Sequence, residues 1–147
     1  MELNYSYELR DDSRVAKSMG RDMNISFKDA VVVCDRIRGM VLSDAISTLK
    51  STQLLKEPIV YNKFRKGVGH RKGSSQGKYP VKPASSILKV LMSLESNAEY
   101  KGLDTERLKI VHIQAKEGVS RKRRKPKGRW RMWSADLVHV EVVAKEI

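Results

Sequence analysis

Eight cations and no carboxylate fall within the sixteen residues Val119 to Ser134, VSRKRRKPKGRWRMWS. A second run at 61–82, YNKFRKGVGHRKGSSQGKYPVK, has seven cations and again no acid. Side chains of these types at this density do one kind of chemistry well. Each Lys or Arg displaces condensed counterions from a polyphosphate, and the planar guanidinium forks onto two phosphate oxygens. The groups in position to do so are Arg121, Lys122, Arg123, Arg124, Lys125, Lys127, Arg129 and Arg131 in one run. In the other they are Lys63, Arg65, Lys66, Arg71, Lys72, Lys78 and Lys82. Trp130 and Trp133 sit among the cations. They offer either flat surfaces on which unpaired RNA bases stack or a cover for the neck of the run against the body of the protein.

The rest of the chain shows that this charge is local. The two runs hold 15 of the 30 Lys and Arg residues and none of the 17 Asp and Glu residues, so the remainder carries 15 basic against 17 acidic groups, a net of −2. The net charge of +13 therefore marks two contact surfaces on a nearly neutral scaffold, which points to a polyanion. Nucleic acid and an anionic membrane surface both meet that description, and duplex DNA is also open to a β-ribbon. No stretch approaches the roughly 18 to 20 apolar residues of a spanning helix, and the polar, acidic start MELNYSYELRDDSR does not lead into a hydrophobic run. With a single cysteine, Cys34, the chain suits a reducing compartment, and a cytoplasmic protein is expected.

Other chemistries find little to work with. In GVGHRKG, Gly67, Gly69 and Gly73 miss the dinucleotide-binding spacing by one residue. His70, His112 and His139 are scattered, with no cysteine or carboxylate at ligand spacing. Cys34 falls on the apolar stripe of a helix, where packing is the expected role. No nucleophile, base and orienting group assemble, so no catalytic residue, metal, cofactor or small-molecule substrate is expected. An RNA-modifying or processing enzyme and a free DNA-binding protein are the competing classes; the first needs a pocket with perturbed ionisable groups and the second needs selective duplex binding.

The positioning elements follow from periodicity. At 147 residues with 40% hydrophobic content the chain can bury one modest core, so a single domain spanning 1–147 is expected. Residues 14–26 read as one strand. Ser26, with Asp29 three residues on, opens a helix whose stripe is Phe27, Ala30, Val31, Cys34 and Ile37, closed by Gly39. Ser43 starts a second helix that buries Leu42, Ala45, Ile46 and Leu49 and ends before Pro58. Residues 61–82, with four glycines and no helical period, read as a long irregular loop. Pro83 introduces the longest helix, with Ile87, Val90, Leu91, Leu94 and Ala98 on its stripe, stopped by Gly102. Two strands, from Arg107 and from Asp136, then flank the basic run, the second with Val138, Val140, Val142 and Ala144 on one face.

An antiparallel hairpin over about 108–146, with its basic tip at 119–134, is the simplest connection. Arms of about 18 residues at roughly 3.3 Å each reach on the order of 60 Å, so the tip must project beyond the body. The expected class is α+β: a small antiparallel sheet packed with three helices, plus a long protruding β-hairpin.

MNISFKDAVVVCDRIRGM and LSDAISTLK resemble the N-terminal helical motif of ribosomal protein family twenty-two of the large subunit, through Ile25, Ser26, Lys28, Ile37, Arg38, Gly39, Ala45 and Leu49. ESNAEYKGLDTERLKIVHIQAKEG resembles that family's later block through Asn97, Ala98, Gly102 and Leu103. The loop GVGHRKGSSQGKYPVKPA is similar to an insertion of archaeal and eukaryotic members. The resemblance implies an α+β body near the peptide exit of the large subunit and a hairpin threading ribosomal RNA to line the nascent-chain tunnel. It implies as partners large-subunit ribosomal RNA, neighbouring ribosomal proteins at the tunnel exit and the nascent peptide, with no membrane. The inserted tip would present Lys125, Pro126, Lys127, Gly128, Arg129, Trp130 and Arg131. Gly128 and Arg129 keep the family's pattern, whereas Trp130 and Trp133 depart from it.

Overall fold

A computed structural model describes residues 5–7, 13–72, 74–128 and 130–147. The element order is β1 (Val15–Met23), α1 (Phe27–Ile37), α2 (Leu42–Gln53), β2 (Ile59–Val60), β3 (His70–Arg71), β4 (Ser74–Lys78), α3 (Val81–Tyr100), a short 3-10 turn (Thr105–Arg107), β5 (Leu108–Arg124) and β6 (Met132–Glu146). The strands β1, β6 and β5 form an antiparallel sheet in that order, and β2, β4 and β3 form a second, small one. The helices cover one face of the first sheet, which completes the expected α+β architecture with its long hairpin.

Strand alternation builds the core. Val138, Val140, Val142 and Ala144 are fully buried toward the helices, as their period requires. On β5, Leu108 and Ile110 point inward, and an extra residue between Ile110 and His112 shifts the inward positions to Ile113 and Ala115. The opposite face of β6 is buried as well, at Glu141 and Val143, which one-sided patterning did not anticipate. Near Glu141 that face is covered by the N-terminal segment Tyr5–Tyr7. The Ser6 backbone N–H and hydroxyl both donate to the Glu141 carboxylate, and the Tyr7 ring stacks on His112 with centroids 5.1 Å apart.

Glu141 is the one fully buried charge among the described residues, and its partners explain why it stays ionised. Lys116 Nζ donates to it at 2.8 Å, and His112 Nε2 lies 3.0 Å from its other oxygen. Burial pushes the carboxyl up, but the hydrogen bonds from Lys116, Ser6 and His112 outweigh it and hold the group at about 2, below the ordinary 4.5. Its stabilising contribution is thus complete above pH 4.5 and lost as pH falls toward 2, a change on the order of 3 kcal/mol. Thermal melts across that range should show a falling Tm, and Glu141→Gln should flatten the dependence while lowering Tm at neutral pH. An unchanged acid profile in the variant would assign the loss to other carboxylates.

The helices follow their stripes with local corrections. On α1, Ala30, Cys34 and Ile37 are buried as expected, but Val31 is only half-buried while Val32 and Val33 are buried, because the helix packs against β5, α3 and β2 at once. Ser26 caps it, accepting from the Asp29 N–H at 3.4 Å. The Asp29 side chain accepts from the Tyr61 hydroxyl at 2.8 Å instead of closing a reciprocal box.

Helix α2 begins at Leu42, with Val41 at the cap position and no side-chain cap, so Ser43 lies inside the first turn. The entry is fixed instead by a bridge from Val41 to Lys109 on β5. Ile46 is half-buried, and Thr52 takes a buried place by donating to the Thr48 carbonyl at 3.0 Å. Helix α3 begins at Val81 rather than Pro83, since a proline is tolerated throughout a first turn whose N–H groups have no helical partner. All five expected stripe residues of α3 are buried.

Residues 61–82 are not an irregular loop. Ile59 pairs with Lys78, Val60 with Gly77, and His70 with Gln76, while the buried side chains of Tyr61 and Val68 pin the segment to the body. The hairpin pairs from Leu108 opposite Glu146 to Arg124 opposite Met132, broken only by bulges, and the Lys125 N–H donates to the Arg131 carbonyl at 2.9 Å. A second bulge lies between Glu117 and Ser120. There Gly118 admits the partner strand closely, since a Cβ at that position would sit 3.0 Å from the Leu137 carbonyl oxygen.

Candidate nucleic-acid interface

The small sheet holds the first basic run against the start of α1. Ser26, Lys28, Phe64, Arg65, Lys66 and Lys78 line an open groove of about 660 Å³, with the Asp29 carboxylate, the Tyr61 acceptor, at its edge. Aromatic rings steer several of these cations: Lys28 Nζ lies 5.7 Å from the Phe64 centroid, Lys78 Nζ 5.3 Å from Tyr61, and the Arg71 guanidinium 5.5 Å from Tyr79. Burial, with the Asp29 carboxylate beside it, pushes the Tyr61 phenol up, so this anchor stays neutral. The partial positive charge at the α1 N-terminus adds to the field. Lys63 is turned away to pair with Asp35 at 3.0 Å, and Arg71 and Lys72 are exposed beyond the groove.

The hairpin carries the second run clear of the body. From Val119 to Asp136 every described residue is exposed except Lys125, which is intermediate. Cross-strand register pairs Arg121 with Ala135 and Arg123 with Trp133, and, on the alternate positions, Lys122 with Ser134 and Arg124 with Met132. Cations therefore project from both faces of the ribbon. Lys127 and Gly128, at φ 69° and 68°, turn the chain at the tip, with Pro126 exposed beside them. Arg129 lies outside the described residues, and Arg131 is exposed. Trp130 is 94% exposed with the Arg124 guanidinium 5.0 Å from its ring, and Trp133 is 58% exposed, so neither covers the neck.

The two runs meet. A second groove, between α1, α3 and the hairpin neck, shares Ser26 and Lys28 with the first and adds Lys82, Glu117, Asp136 and Asn24. Asn24 in turn lines a third recess with Arg123, Arg124 and Trp133. One surface thus runs from the basic loop to the hairpin, interrupted at the neck by Glu117 and by Asp136, which accepts from the Ser120 hydroxyl at 2.5 Å. Sequence reasoning took Lys28 only as a motif match, and passed over Asn24 and Phe64. Their place at element ends beside the cations is the signal that would have found them. Cys34 is buried, and burial raises its thiol to about 12, in keeping with a packing role.

Comparison with known proteins identifies the body that carries this surface. Residues 18–145 match the model of the family described as ribosomal protein L22p/L17e. The chain belongs to the ribosomal protein L22p/L17e family. It is 43% identical to the large ribosomal subunit protein uL22 of Archaeoglobus fulgidus, over 97% of this chain and 96% of that one. It is 40% identical to the uL22 of Methanocaldococcus jannaschii, over 98% of this chain and 95% of the relative. The uL22 of Staphylothermus marinus is 39% identical, over 97% and 96%. The match is to the archaeal type of the L22p/L17e family, one of the two types, archaeal and eukaryotic, that the insertion at residues 67–84 resembles. Membership makes the chain a structural protein of the large ribosomal subunit rather than an enzyme.

Proposed function

We propose that this chain, as one domain, binds large-subunit ribosomal RNA through a single surface composed of the basic loop and the extended hairpin. The observation that carries this reading is the run of grooves joined by Ser26, Lys28 and Asn24, which brings two chain-distant, acid-free segments together. Lys28, Arg65, Lys66, Lys78 and Lys82 would hold phosphates beside the body. The tip cations Arg121, Lys122, Arg123, Arg124, Lys125, Lys127, Arg129 and Arg131 would do so along the ribbon. Charge on both faces suits a ribbon surrounded by RNA better than one laid on a flat surface. An isolated ribbon with like charges is marginal in water, so dense phosphate stabilises its extended form.

Within the cytoplasmic large subunit, the body would contact neighbouring ribosomal proteins near the tunnel exit. The turn Lys125–Arg131 would border the tunnel and the nascent peptide. The test is a photoreactive group in a stalled nascent chain: at one chain length it should label the Lys125–Arg131 segment and leave the body unlabelled. If peptides at every depth label other tunnel proteins but never this segment, the tip does not line the tunnel and serves RNA packing alone.

A further inference from the structure

Where β1 ends at Met23, a recess of about 540 Å³ opens between the departing chain and the hairpin. Asn24 lines it from the body, and Arg123, Arg124, Pro126, Trp133 and Ser134 line it from the ribbon. We propose that this recess seats one extruded nucleobase of RNA, stacked on Trp133, with a flanking phosphate on Arg123. The proposal rests on the RNA-binding reading above and goes further by naming a single-nucleotide site and the residues that define it.

Three observations favour it. Among the described residues, no acidic side chain lines the recess. Arg123 and Trp133 are direct cross-strand partners, so a guanidinium and a ring stand side by side on one face. The second tryptophan is differently placed: Trp130 lies outside the recess and is faced by Arg124 at 5.0 Å. The ring and Pro126 give apolar walls for a planar group, and every base has a face to stack. The Asn24 amide supplies both donors and an acceptor for a base edge. A neutral peptide side chain would use the walls but leave the Arg123 guanidinium without an anion, whereas a nucleotide supplies one.

The test uses the full chain carrying Trp130→Phe, so that Trp133 is the sole tryptophan and its fluorescence reports on the recess. An oligoadenylate of about six nucleotides and an abasic ribose-phosphate oligomer of equal length are titrated separately. The oligoadenylate should quench Trp133 and the abasic oligomer should bind without quenching. Trp133→Ala, at an exposed position, should weaken oligoadenylate binding about 5- to 150-fold while leaving abasic binding and the salt slope unchanged. If both oligomers bind equally and neither quenches, the base seat is wrong and the RNA-binding reading stands. If neither binds, both readings fall. Quenching by a neutral aromatic peptide but not by oligoadenylate would assign the recess to a peptide and overturn the proposal.

Discussion

Raising salt fourfold should weaken binding of the isolated protein to ribosomal RNA by about a thousandfold to ten-thousandfold. The two basic runs contain 15 cations. If about half engage phosphate, counterion release sets the slope of log affinity against log salt near roughly −5 to −7. Filter binding or anisotropy across a salt series measures it directly. Replacing Lys122, Arg123, Arg124 and Lys125 together with Ser should make that slope shallower by about 3. Because these residues lie on the ribbon beyond the body, thermal stability should change by no more than about 0.5 kcal/mol. A slope near zero in the unaltered protein would remove the polyanion reading altogether.

The opposite pattern is expected for Leu91→Ala. Leu91 is fully buried on α3, which packs against β1 and α2, and it belongs to the cluster that joins the helices to the sheet. Truncation removes apolar burial and leaves a cavity, a loss of about 2 to 5 kcal/mol. For a chain of this size that lowers Tm by roughly 5 to 20 °C. Below its melting transition the variant should keep the salt slope of the unaltered protein, since no cation has moved. Equal loss of stability in the Leu91 and tip variants would contradict the separation of neutral body from charged contacts.

What could be read from the chain depended on whether a residue's role was set by its neighbours in sequence. The stripe of α3 and the alternating Val138, Val140 and Val142 are local patterns, and they fold as read. The small sheet over residues 59–78 was hidden because its strands are two to five residues long. A segment such as SSQGK has no apolar alternation. The start of α2 was misplaced because Val41 is held by Lys109, a partner no cap rule anticipates. The burial of Glu141 was likewise unreadable, since Lys116, His112 and Ser6 reach it from distant parts of the chain. The cations of the interface were plain from composition. Their union through Asn24 and Lys28 was not, because only the turn from β1 into α1 brings the neck of the hairpin beside the basic loop.

Strand β1 reaches only as far as Val138 on β6, and β5 is the outer strand of its sheet. Beyond the neck, both sides of the ribbon therefore lack a neighbouring strand among the described residues. Bare strand margins of this kind are templates for self-association, and a ribbon with exposed Val119, Met132 and two tryptophans would be prone to it. The cations forbid that outcome: a second copy brought alongside would set eight like charges against eight. The residues proposed to hold phosphate thus also oppose edge-to-edge pairing of free copies, and that opposition ends only where phosphate is dense enough to neutralise them.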